Sequence, residues 1–68
     1  MIININVNVW AISGQGKSGF ATQALLGQAI ICGIVDTNGM TAKEVANACI
    51  DEAKMYLPDA TYIVKLPP

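Results

Sequence analysis

The chain has 68 residues, 53 % of them hydrophobic and 13 % charged, with a net charge of −1; a typical globular domain carries about 25 % charged residues. These figures exclude a multidomain enzyme and a disordered tail, and four Lys+Arg cannot supply the surface that neutralises duplex nucleic acid. A chain of this size buries only about 60 % of the surface it exposes when unfolded, so its low charge points to a surface partly covered by another subunit or a partner.

In chain order, Ile2 to Ala11 alternates strictly. Ile3, Ile5, Val7, Val9 and Ala11 fall on one face, and Asn4, Asn6, Asn8 and Trp10 on the other. This period of two predicts a half-buried strand. Three asparagines in a strand run against local preference, so burial of the opposite face must decide the conformation. Ser13-Gly14-Gln15-Gly16-Lys17-Ser18-Gly19 breaks the pattern and reads as a loop.

The next segment reads either as a hairpin, Phe20–Leu26 and Ala29–Asp36 about a Gly27-Gln28 turn, or as a helix over about residues 18–27 followed by the same second strand. The β-branched run Ile30, Ile31, Ile34, Val35 makes the second half a strand in both cases. Gly27 and Gly33 tip the balance to the hairpin, because each would cost a continuous helix about 1 kcal/mol. Asp36-Thr37-Asn38-Gly39 is a turn. Thr41-Ala42-Lys43-Glu44 is a capping box, with Met40 and Val45 at the positions of a hydrophobic staple.

Ala42, Val45, Ala46, Cys49, Ala53, Tyr56 and Leu57 then form an apolar stripe at helical spacing, opposite Lys43, Glu44, Asn47, Asp51 and Lys54. Pro58 ends the helix. Thr61 to Leu66 is a short last strand before Pro67-Pro68. The expectation is a single α+β domain over residues 1–68, ordered β-β-β-α-β, with a mainly antiparallel sheet and one helix packed on one face.

Cys32 and Cys49 are too few for a disulfide framework and read as reduced core cysteines; with no His in the chain, no metal site is expected. Ser18 to Val35 is uncharged and about long enough to span a bilayer. However, Thr22, Gln23, Gln28 and three glycines within it argue against a membrane segment. The N-terminal Met-Ile-Ile-Asn lacks the basic region of a signal peptide, and a cytoplasmic location is expected.

Two segments carry candidate chemistry. Ala11-Ile12-Ser13-Gly14-Gln15-Gly16-Lys17-Ser18 fits a relaxed phosphate-loop pattern after a strand. In that reading amides around Gly14, Gln15, Gly16 and Lys17 cradle phosphate, Lys17 meets the outer phosphates and Ser18 holds magnesium, with Asp36 ending an apolar strand. Over these 26 or so residues the chain resembles a phosphate-loop nucleotide-binding protein, a fold that needs about twice this length for its parallel sheet. The plainer reading is a tight, glycine-permitted loop. The second candidate is the face formed by Asn4, Asn6, Asn8 and Trp10. It reads either as the solvated side of an edge strand or as an interface, since Asn offers donors and acceptors and Trp is a frequent hot-spot residue. No residues present a convincing catalytic group: Glu44 is explained as a cap, Asp51 and Glu52 as a solvated helix face, and Ser13 has no base.

The β-β-β-α-β order, the turn before Thr41, the stretch Thr41-Ala42-Lys43-Glu44-Val45-Ala46-Asn47-Ala48 and the closing Tyr56-Leu57 resemble HicB-type antitoxin domains. That resemblance covers mainly Asp36 to Leu57 and implies a partial ribonuclease H-like fold and a protein partner. The chain lacks the Pro-Asp-x-Pro-Gly-Cys segment of that family. It also carries Trp10, Ala11 and Ile12 where a full ribonuclease H has an acidic residue, so the resemblance implies no nuclease chemistry.

The leading expectation is a small non-enzymatic binding or inhibitor protein, HicB-like or phage-type, that acts as a homo-oligomer without a cofactor and occupies a protein partner or small ligand. The alternatives are the phosphate-loop nucleotide binder and a small-molecule (signal nucleotide) sponge with pockets between subunits.

Overall fold

A computed structural model describes residues 1–12, 17–36 and 39–67, with the side chains of 11, 12, 17 and 18 left aside. The elements are β1 (Ile2–Ile12), β2 (Lys17–Leu26), β3 (Ala29–Asp36), α1 (Ala42–Lys54) and β4 (Thr61–Lys65). They form one mixed sheet in the order β3-β2-β1-β4. β1 and β2 are antiparallel, as are β2 and β3, whereas β4 joins β1 in parallel, with Ile2 beside Thr61 and Asn6 beside Lys65. α1 packs on β1, β2 and β3 from one side. The expected order and single helix are present, and residues 17–26 are strand rather than helix.

The β2–β3 connection shows why. Leu26 pairs with Ala29, leaving Gly27 and Gln28 as a two-residue loop. Gly27 takes φ +61°, the positive value that a tight hairpin asks of its first loop residue and that glycine supplies without steric cost. One irregularity follows between Ala24 and Leu25, where β3 carries an extra residue, Ile31. A bulge of this kind bends the strand and increases its twist.

Residues 37 and 38 of the expected turn lie outside the described residues, but side chains on either side hold the entry into the helix. The Asp36 carboxylate, almost fully buried, accepts the Met40 amide at 2.9 Å, and Gly39 turns the chain at φ +85°. Thr41 then caps α1: its hydroxyl accepts the Glu44 amide at 3.2 Å while the Glu44 carboxylate accepts the Thr41 amide at 3.0 Å. Those bonds, from the Thr41 backbone first and its side chain second, hold the Glu44 carboxyl below its ordinary 4.5. A lowered folded-state value means that Glu44 stabilises the fold above its unfolded pKa and that this contribution disappears as pH falls through the folded one. Thr41→Ala is expected to cost about 1 kcal/mol in urea unfolding at neutral pH. In Glu44→Gln the acid-dependent part of the loss should be missing, and an identical acid-unfolding profile would refute that role for Glu44.

The core is thin. Ile3, Ile5 and Val7 from β1 and Ala24 from β2 meet Ala46, Cys49 and Ala53 of α1, all buried. Thr22 is buried too, its hydroxyl donating to the Ile34 carbonyl at 3.1 Å. Beside it, a Cβ on Gly33 would lie 2.9 Å from the Thr22 carbonyl oxygen, so glycine is what permits this approach of β3 to β2.

Three expectations need correction. Val9 belongs to the apolar face by alternation, yet it is 65 % exposed. The buried run on β1 stops at Val7, β4 stops opposite Asn6, and β3 reaches only as far as Phe20 on β2. Beyond these points β1 and β2 continue as a two-stranded ribbon. Tyr56, placed on the helical stripe, is exposed and lies past the end of α1. Met55 and Tyr56 donate to Glu52 and Ala53, three residues back, and this tighter winding takes Tyr56 off the stripe before Leu57 returns to pack on the core. Finally, β1 is an edge strand only in part: over Asn4–Asn6 it is flanked by β2 and β4, whereas Asn8 and Trp10 lie where it pairs with β2 alone.

Cys32 and Cys49 are free thiols on facing elements, with Cys32 Sγ 4.0 Å from the Cys49 carbonyl oxygen. Burial, then the neighbouring Cys49 thiol and the charge of Glu52, push the Cys32 thiol up to about 11. The thiolate is the reacting species, and a free cysteine titrates near pH 8.5. Iodoacetamide at about pH 8 is therefore expected to modify neither cysteine of the native protein at a rate approaching that in urea. Rapid labelling of Cys32 without unfolding would contradict this placement.

Candidate functional site

The sheet has a second face, opposite α1. Among the described residues no element lies over it. Strand register defines its layout, because residues paired across neighbouring strands share a face. Asn4 stands between Ile63 of β4 and Leu25 of β2, with Ile30 of β3 beyond. Asn6 stands between Lys65 and Gln23, with Gly33 beyond. Asn8 pairs with Ala21 and then Val35, and Trp10 lies opposite the buried Gly19 at the root of the ribbon.

The face is thus a polar band flanked by apolar rows. Asn4, Asn8 and Gln23 are exposed and Asn6 half-buried. Ile30, Val35 and Ile63 are each about half exposed or more, and Trp10 is 40 % exposed. Free amide groups can donate and accept in any orientation a partner presents, and the surrounding aliphatic side chains supply area to bury. Large hydrophobics scattered singly over a surface need no explanation; here several lie on one sheet face around a ladder of amides, as an apolar patch.

Register also explains what single-strand reasoning missed. Asn4, Asn6, Asn8 and Trp10 are adjacent along one strand, so their common face follows from alternation. Gln23, Ile30, Val35, Ile63 and Lys65 join them only through pairing. The Gly27-Gln28 turn contained the signal for the β2–β3 part, whereas nothing local placed β4 beside β1.

Where β4 ends, Leu66 and Pro67 leave the sheet and open a recess of about 220 Å³ lined by Asn6, Val7, Asn8, Lys65, Leu66 and Pro67. One ammonium and two primary amides converge there, a donor set suited to a carboxylate or phosphate. The recess is open and smaller than the roughly 300 Å³ at which small-molecule pockets begin. A second shallow recess, about 340 Å³, lies at the other end against Met1, Tyr56, Leu57 and Ala60.

Residues 13–16 of the candidate phosphate loop lie outside the described residues. Lys17 and Ser18 open β2, which runs back antiparallel along β1, with Ile12 beside Lys17 and Ala11 beside Ser18. A phosphate loop passes its chain into a helix whose amino end faces the anion; here the chain passes into a strand. Asp36, the candidate metal carboxylate of that reading, is spent on the Met40 amide. No group of three or more metal-ligating side chains occurs among the described residues, and no helix among them is long and apolar enough to cross a membrane. Tyr62, its ionisation pushed up by burial and then by the Cys32 thiol, donates its hydroxyl to the Leu57 carbonyl and ties β4 to the end of α1. Comparison with family models, curated proteins and solved structures finds no match for this chain.

Proposed function

We propose that the protein is a small, non-enzymatic, cytoplasmic binding protein that works as a homo-oligomer and occupies a protein partner or a small ligand through its sheet. The observation that carries this reading is the face opposite α1, where Asn4, Asn6, Asn8 and Trp10 stand among exposed Ile30, Val35 and Ile63. A 68-residue chain has little stability to spare, and covering that face adds to it. The β-β-β-α-β order and the Thr41–Glu44 helix start support a HicB-like or phage-type inhibitor as the specific form.

A second reading draws on the recess at Lys65. A pocket too small and open in one chain becomes enclosed if a second copy seats against it, which favours a sponge for small anionic ligands held between subunits. Light scattering is expected to give a mass above 7.2 kDa, and Trp10→Ala should weaken assembly or partner capture by at least tenfold, because buried Trp contacts commonly contribute about 2 kcal/mol or more. A monomer indifferent to that substitution would overturn the reading. Mass spectrometry of the denatured, freshly purified protein would reveal a retained ligand in the sponge form.

A further inference from the structure

The two edges of the sheet are built differently. β4 is five residues long, ends in Lys65 and runs into Pro67. Shortness, an edge lysine and proline are the devices by which natural sheets keep other strands from adding. β3 has eight residues, Ala-Ile-Ile-Cys-Gly-Ile-Val-Asp, with neither lysine nor proline. Its one charge, Asp36, is almost fully buried and turned back onto the Met40 amide. Ile30 and Val35 are 61 % and 56 % exposed. The bulge at Ile31 interrupts only the start of the strand, so Cys32–Asp36 presents a regular row of outward backbone groups.

We infer that the Cys32–Asp36 edge pairs antiparallel with the same segment of a second copy, joining two four-stranded sheets across a two-fold axis. A two-fold contact must be compatible with itself, and this segment is. With the axis at Ile34, Val35 lies across from Gly33 of the second copy, so an exposed side chain meets bare backbone. No charged side chain opposes another in that register. The same operation on β4 would draw Lys65 and the proline-bearing end of each chain into the contact. Pairing through β3 leaves the face opposite α1 open and makes it continuous across both copies. The inference deepens the homo-oligomer reading above and rests on it.

Amide hydrogen exchange followed by NMR, with light scattering on the same sample, tests it. In an unpaired edge strand alternate amides point to solvent and exchange fast. The expected result is a mass of twice 7.2 kDa with every amide from Cys32 to Val35 slow. Val35→Lys should weaken dimerisation at least tenfold, and Thr61→Lys, exposed at the opposite edge, should leave the mass and the β3 protection unchanged. A dimer with alternate fast amides in β3, or one insensitive to Val35→Lys but broken by Trp10→Ala, overturns this contact and leaves the oligomer reading standing. A monomeric wild type overturns both.

Discussion

Replacing Ile5 with alanine is expected to remove about 3 kcal/mol of stability, in the range measured when large aliphatic side chains are cut back in closed cores. Ile5 is fully buried, with Ala24 beside it on β2 and Val64 on β4, and α1 over that face of the sheet. Neither neighbouring alanine nor capped helix can collapse far into the space left. For a chain of 68 residues the whole folding free energy is on the order of 3–10 kcal/mol, so this one change brings the variant close to unfolding. In a thermal melt followed by circular dichroism the midpoint should fall by roughly 15 °C. Val9→Ala, at a position exposed on the ribbon, should stay within about 0.5 kcal/mol of the parent. If Ile5→Ala loses less than Val9→Ala, the core is not where the fold places it.

Adding volume is expected to be nearly as damaging. Ala46, Cys49 and Ala53 are what α1 contributes to the core cluster, and Ala24 is equally buried in β2. Small side chains on both sides let the helix lie close to the sheet. Ala46→Leu must force a rotamer or lift the helix, a strain of about 2 kcal/mol. It should appear as a lower urea midpoint with the slope of the transition unchanged. Asn47→Ala, one residue on and exposed, should instead gain a few tenths of a kcal/mol from helix propensity. A stabilising Ala46→Leu would show that the interface holds unfilled space, contrary to the packing described above.

Much of this arrangement was legible in the residues because local chemistry dictated it. The Thr41–Glu44 box starts the helix where its two hydrogen bonds form, and the alternation of Ile3, Ile5 and Val7 against Asn4, Asn6 and Asn8 sets two faces. Gly27, with its positive φ, makes a hairpin where apolar periodicity alone left a helix open. The places that escaped are those where distant parts of the chain decide. Val9 repeats the pattern of Val7 but lies beyond the part of β1 that is buried, and no property of Val9 records that limit. Tyr56 keeps helical spacing yet follows a turn wound three residues back. The open face of the sheet was legible as a line along β1 but not as an area, because its other members arrive through register with β2, β3 and β4. Parallel attachment of β4 to β1 is the least local fact of all, since a run such as Thr61-Tyr62-Ile63-Val64-Lys65 would fit either edge.

That attachment has a kinetic side. β1 is an interior strand over Asn4–Asn6, yet one of its neighbours there is the last strand in chain order. Contacts between segments so far apart along the chain slow folding, because loop-closure entropy is lost before any pairing compensates for it. While the polypeptide is being made, β1 can pair with β2 and β3 can complete the meander, but the flank of β1 that β4 will occupy stays open until residues 61–65 emerge. For that interval the edge opposite β3 is the uncharged Ile2–Asn6 stretch of β1 rather than the short, lysine-bearing β4 that native folding later sets there. Conditions that delay completion of the chain should therefore favour aggregation through β1, a hazard that the finished molecule no longer carries.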